Sequence, residues 1–247
     1  MQYKSIKIQT FKFIFNIVIV LSTLFPESND KRFIKNFETD VMIEVELNYL
    51  LYLPSNYSDS NKEFPLVLFL HGAGERGEDI NLIEVHGIPK LINMGREFPF
   101  ITIAPQCPSD RRWSDPVFVK ALISLIEKTK VQHNVDAHRV YATGLSMGGY
   151  GTLAIAMERP DLFAGIIPIC GGGDLKKIGR LKDVPIWLFH GDADTVVPVV
   201  NSTNIYDKLK PINDKAKITI YEDVGHDSWT QTYYNNYLYD WLLSQKK

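Results

Sequence analysis

Continuous apolar runs, not alternating ones, punctuate this chain. Residues 65–70 read Pro-Leu-Val-Leu-Phe-Leu, and residues 100–104 read Phe-Ile-Thr-Ile-Ala. Such runs suit strands covered on both faces, where neither face calls for polar side chains. Residues 140–143, 164–169, 186–189 and 218–221 complete the set. Residues 41–53, stopped by Pro54, predict an opening antiparallel hairpin. Helical patterns lie between the strands. Asp115-Pro116 supplies a cap residue and a first-turn proline for a helix running to about Lys130. Residues 148–159 predict a second helix, stopped at Pro160, and residues 201–209 a third. Residues 228–243, with Tyr, Leu and Trp on an amphipathic pattern, predict a closing helix. Alternating strands and helices give an α/β class: a mostly parallel central sheet with helices on both faces.

The first residues break this pattern. Lys4, Lys7 and Lys12 precede an apolar run over 13–25, interrupted mainly by Asn16, Ser22 and Thr23. A basic segment followed by a short apolar one predicts a secretory signal peptide, here residues 1–28. The run is shorter than the roughly 20 residues a membrane span needs. The mature protein is therefore expected to be exported, periplasmic or extracellular, with no stable membrane span. Residues 29–247 are long enough for one α/β domain with a sizeable core. The net charge is −2 and there is no long basic run, which argues against a nucleic-acid partner.

Candidate chemistry centres on Gly144-Leu145-Ser146-Met147-Gly148-Gly149. G-x-S-x-G between an apolar strand and a helix is the nucleophile elbow of α/β-hydrolases. The glycines answer the sharp turn and the close approach of other segments. The helix N-terminus behind Ser146 favours developing negative charge. In this fold the triad runs Ser, acid, His. Of six histidines, His71, His86, His133 and His138 precede Ser146, and His190 precedes the candidate acid, leaving His226. Asp192 and Asp194 both compete for the acid. The surround H-G-x-x-D-x-x-V-P, usual for the acid in this fold, selects Asp194 and leaves Asp192 to shape the turn. Asp174 is a further candidate, because some hydrolases carry the acid after the preceding strand. The oxyanion hole needs two backbone N–H donors. Met147 should give one and Ala73, in the loop His71-Gly72-Ala73-Gly74, the other. In the usual hydrolase sheet two strands separate those leading to Cys107 and Cys170. That puts the thiols about 14 Å apart, too far for a disulfide.

The segments Leu70-His71-Gly72-Ala73-Gly74-Glu75-Arg76-Gly77, Ala104-Pro105-Gln106-Cys107-Pro108, 144–151, 168–174 and Gly225-His226-Asp227-Ser228-Trp229-Thr230 together carry a family resemblance. Over about residues 49–243 the chain resembles the secreted phospholipase/carboxylesterase, or "predicted peptidase", family. That family is similar to dienelactone hydrolases and to feruloyl and acetylxylan esterases. The resemblance implies a serine hydrolase that cleaves carboxylic esters through an acyl-enzyme, with carbohydrate esters as substrates. Serine peptidase or amidase activity and small-ester carboxylesterase activity are the alternatives, with a non-catalytic binding module behind them. Dienelactone hydrolases use a Cys nucleophile where this chain has Ser146, which favours ester hydrolysis. The chain has no room for the gating propeller of large peptidases of this fold, and no insertion long enough for a lid. Trp113 and Trp229 are candidates to flank the cleft and stack on a sugar or aromatic acyl group, with burial in packing as the alternative for each. Glu75 and Arg76 are expected to order the oxyanion loop through a salt bridge. No metal-ligand spacing or phosphate loop stands out, so no metal or cofactor is expected.

Overall fold

The computed structural model of the protein describes residues 2–6, 43–57 and 62–247. Apart from residues 2–6, the expected leader lies outside the described residues. The strands are β1 (Gln2–Ile6), β2 (Leu47–Tyr52), β3 (Phe64–Leu70), β4 (Ile101–Pro105), β5 (Val135–Leu145), β6 (Gly165–Ile169), β7 (Ile186–Gly191) and β8 (Ala216–Tyr221). They form one sheet in the order β1-β2-β4-β3-β5-β6-β7-β8. β2 runs antiparallel to both β1 and β4, while β3 to β8 run parallel to one another. This is the α/β-hydrolase arrangement that the apolar runs and the elbow predict.

The opening hairpin expected over 41–53 is not formed within the described residues. One strand, β2, stands there, and its antiparallel partners come from elsewhere in the chain.

All seven residues of β3 are buried. Period-two alternation sends Leu66, Leu68 and Leu70 into one core and Val67 and Phe69 into the other. The first core is roofed by the helices α2 (Pro116–Gln132), α3 (Met147–Glu158) and α4 (Val200–Leu209). The second is covered by α1 (Gly87–Asn93), α5 (Trp229–Tyr234) and α6 (Asn236–Ser244). Each large apolar side chain buried this way contributes about 1.5–3 kcal/mol.

Two helical details differ from the sequence pattern. The closing helix is two helices, parted at Asn235, whose backbone is extended (φ −77°, ψ 116°). Its side chain accepts the Tyr237 N–H at 3.0 Å and so caps α6. Helix α1 has no counterpart in the pattern because it opens on Gly87 and contains Pro89, two residues that mask a short helix. Gly87 has φ +66°, and a Cβ there would meet the Phe69 ring at 2.2 Å. Among the described residues no helix is long and apolar enough to cross a membrane.

Candidate active site

Ser146 stands between the end of β5 and the start of α3 with φ 51° and ψ −114°. That conformation costs a non-glycine residue about 1–3 kcal/mol, which the surroundings must offset. They do so through backbone bonds: the Ser146 N–H donates to the Ile169 carbonyl at 2.9 Å, and its own carbonyl accepts the Tyr150 N–H at 3.1 Å. The elbow glycines answer crowding. A Cβ on Gly144 would lie 2.6 Å from the Leu70 oxygen, and one on Gly149 2.5 Å from the Ile169 oxygen.

Three side chains converge on this turn. His226 Nε2 lies 3.0 Å from Ser146 Oγ, and His226 Nδ1 lies 2.7 Å from Asp194 Oδ2. The carboxylate accepts at Nδ1, so that nitrogen carries the proton and Nε2 faces the hydroxyl as acceptor. Asp194 Oδ1 accepts the N–H groups of Val196 at 2.8 Å and Val197 at 2.9 Å. Burial alone would push the Asp194 carboxyl up. The hydrogen bonds from His226, Val197 and Val196 outweigh it and hold the group below the ordinary carboxylate range. Asp194 is buried, whereas Asp192 and Asp174 are exposed, and neither contacts His226 in a hydrogen bond or ion pair.

His190 braces the acid loop. One ring nitrogen meets Ser202 Oγ at 2.7 Å and the other the Val197 carbonyl at 2.8 Å. Trp229 is half-buried and meets the His226 ring edge-on, with centroids 5.2 Å apart. It therefore touches the site, through His226.

Gly72 brings the loop after β3 against the elbow. A Cβ there would lie 2.8 Å from Leu145 Cδ1. His71 fixes the loop: Nδ1 donates to the Gly72 carbonyl at 2.6 Å, and Nε2 accepts the Cys107 N–H at 3.0 Å. Burial pushes the His71 pKa down to about 4, the Gly72 carbonyl opposes that, and Arg76 adds to it, so the ring is neutral near pH 7. Ala73 opens a short 3-10 helix, as Met147 opens α3. The N–H groups of first helical residues have no partner within their own helix, as oxyanion donors require.

Two expectations about this loop need correction. Glu75 and Arg76 form no salt bridge. Arg76 turns outward, and its Nε donates to the Ala73 carbonyl at 2.9 Å. Glu75 turns inward between His71 and His86, its oxygens 3.9 and 3.8 Å from their ring nitrogens. Trp113 is no stacking platform, because it is 0% exposed. Its Nε1 donates to the His71 carbonyl at 3.1 Å, and its ring meets His71 edge-on at 5.1 Å.

Cys107 and Cys170 are unpaired and buried, with β3 and β5 between the strands they follow. Burial pushes both thiols up to about 12. The sequence motifs do not mark Cys170 as a neighbour of the site, yet its Sγ, one carboxylate oxygen of Asp194 and one ring nitrogen of His226 all lie within 4.8 Å of one another. The signal was available: β6 pairs with β5, so the residue after β6 abuts the elbow. That spacing would also admit a metal ion. Asp194 and His226 are committed to each other, and the thiol stays protonated, so we assign none.

Such a site can activate a hydroxyl, hold a tetrahedral oxyanion and return a proton to a leaving group. A profile of the phospholipase/carboxylesterase family matches residues 55–237. A thermostable esterase of known structure is 39% identical with a TM-score of 0.72, covering 82% of this chain and 60% of that one. A ferulic acid esterase shares the fold with a TM-score of 0.60 at 17% identity, over 80% of this chain and 91% of the other. The poly(3-hydroxyalkanoate) depolymerase C of Paucimonas lemoignei is 31% identical over 121 residues. That match spans 44% of this chain and only 28% of the depolymerase. The chain belongs to the phospholipase/carboxylesterase family of α/β-hydrolases.

Proposed function

We propose that the protein is a serine esterase that removes acyl groups, of the acetyl or feruloyl type, from carbohydrate esters. The observation that carries this is the continuous relay from Asp194 through His226 to Ser146, at 2.7 and 3.0 Å. His226 Nε2 takes the Ser146 proton as Oγ attacks the acyl carbon. The N–H groups of Met147 and Ala73 hold the oxyanion. The intermediate collapses, the leaving alcohol takes the proton from His226, and the acyl group stays on Ser146. Water then gives a proton to His226 and attacks the acyl-enzyme. Ser146 leaves with that proton, and the acid is released. Asp194 orients the imidazole and stabilises its cation throughout.

The carbohydrate part of the reading is supported by the shared fold of the ferulic acid esterase. Export is part of the same proposal and rests on the basic-then-apolar leader.

The test is hydrolysis of p-nitrophenyl acetate, p-nitrophenyl octanoate and methyl ferulate by wild type and Ser146→Ala. Acetate or ferulate turnover that drops on the order of 10³-fold or more in the variant supports the reading. Folded wild type inert on all three overturns it. Faster cleavage of acyl-peptide amides than of matched esters would make the protein a peptidase instead.

A further inference from the structure

One turn beyond Ser146, Tyr150 forms the near wall of a cleft of about 410 Å³, a volume typical of small-molecule sites. Tyr150 is the residue that links the cleft to the elbow. The Tyr150 N–H is bonded to the Ser146 carbonyl, and a Cβ on Gly172, another wall residue, would lie 2.7 Å from the Tyr150 ring. Tyr150, Ala154, Met157 and Glu158 recur on one face of α3. The cleft therefore runs along that helix, away from the nucleophile, for about 12 Å at 1.5 Å per residue.

Its lining has two parts. Val119, Ala154 and Met157 make an apolar floor. The rim carries Ser114, Lys120, Glu158, Asp174 and Lys177, two cations against two anions. Among the described residues the side chains of Ser114, Lys120, Tyr150, Glu158 and Lys177 make no hydrogen bond or ion pair with other protein groups, so each is open to a ligand.

We infer that this cleft holds the carbohydrate of the substrate: a neutral oligosaccharide whose esterified hydroxyl reaches Ser146. The inference rests on the esterase reading above. A balanced rim favours a ligand without net charge. Free donors and acceptors above an apolar floor suit a polyol, which lays its C–H face down and its hydroxyls outward. A long acyl chain would use none of those rim groups. A peptide would find no strand edge, because the walls formed by α2 and α3 satisfy their own backbones.

Two measurements test it. The first is calorimetric titration of wild type with unacylated xylotetraose, compared with Ala154→Phe, which fills the floor. The second is kcat/KM on acetylated xylotetraose relative to p-nitrophenyl acetate, which shares the acyl group and lacks the sugar. We expect Ala154→Phe to weaken xylotetraose binding at least tenfold and to lower that ratio at least tenfold. Ser114→Ala with Lys177→Ala, both exposed, gives the same readout if Ala154→Phe does not fold. Xylotetraose that does not bind wild type, or binds all variants equally, overturns the inference. So does an effect confined to p-nitrophenyl octanoate, which would make the cleft an acyl site. If wild type binds xylotetraose in this cleft but cleaves no sugar ester, the cleft stands and the esterase reading falls.

Discussion

Gly148 and Leu70 touch backbone to backbone: a Cβ on Gly148 would stand 1.9 Å from the Leu70 carbonyl oxygen. The first turn of α3 is thus pressed onto the end of β3, with no volume for a methyl group. Gly148→Ala must push the helix off the strand that leads into the loop carrying Ala73. It should destabilise the protein by about 3 kcal/mol or more and remove most of the proposed esterase activity from the molecules that remain folded. Denaturant titration and p-nitrophenyl acetate turnover check both. Wild-type values for either would mean the elbow has slack that this contact denies.

Asp194 accepts four polar hydrogens or close approaches, from His226, Val196, Val197 and His190. Asp194→Asn keeps the shape and loses the charge that faces imidazolium, so kcat should fall about 10³- to 10⁴-fold. Stability gives a second readout. The folded carboxyl is held below its ordinary value. Its contribution is present above the unfolded pKa of about 3.9 and is lost as pH falls through the lower folded value. Wild type should therefore lose its advantage over Asp194→Asn in that acid range. Melting curves of both proteins from pH 6 to pH 2.5 decide.

His71 works in the opposite sense from a paired histidine. Its pKa is lowered to about 4 in the folded state by burial. Between that value and 6.5 the unfolded chain binds a proton that the folded one refuses. Stability from this residue is complete above about pH 6.5, falls through the window, and levels off below about pH 4. The loss is about 3 kcal/mol at most. Urea midpoints at pH 7.5, 6.5, 5.5 and 4.5 should fall more steeply for wild type than for His71→Asn. Parallel curves would show that the imidazole does not titrate in this way.

Trp113 separates packing from recognition. Its indole is fully buried and bonded to the His71 carbonyl. Trp113→Ala should cost about 3–5 kcal/mol, and Trp113→Phe should lose about 1 kcal/mol through the missing hydrogen bond. Neither should alter the preference for a glycan ester over p-nitrophenyl acetate in the folded fraction. A changed preference at unchanged stability would return Trp113 to the substrate.

The strands of the parallel core were legible because both faces are buried. A residue such as Val67 needs no polar neighbour when Leu66 and Leu68 serve the other core. Ser146, Asp194 and His226 were legible because chain order in this fold leaves few candidates, and the structure brings those three together. The rest depended on distant partners. An indole in a loop reads the same whether solvated or buried, and Trp113 is buried because Gly151 and His71 close over it. Glu75 and Arg76, adjacent in sequence, look like a pair, yet the backbone turns one inward and the other outward. The amphipathic pattern runs unbroken through Asn235, so only a side-chain cap reveals that the helix stops there.

The parts of the relay stand on unequal ground. Ser146 directly follows the central strand β5, locked between β3 and β6. His226 follows β8, which among the described residues lies at the margin of the sheet, pairs with β7 alone and is nowhere fully buried. Fraying starts where neighbours are fewest. On warming, the imidazole should drift from the hydroxyl while the interior is still solid. Loss of turnover would then precede loss of circular dichroism, and brief cooling would restore it. Splinting β8 to β7 should extend the working temperature without touching the melting point of the core.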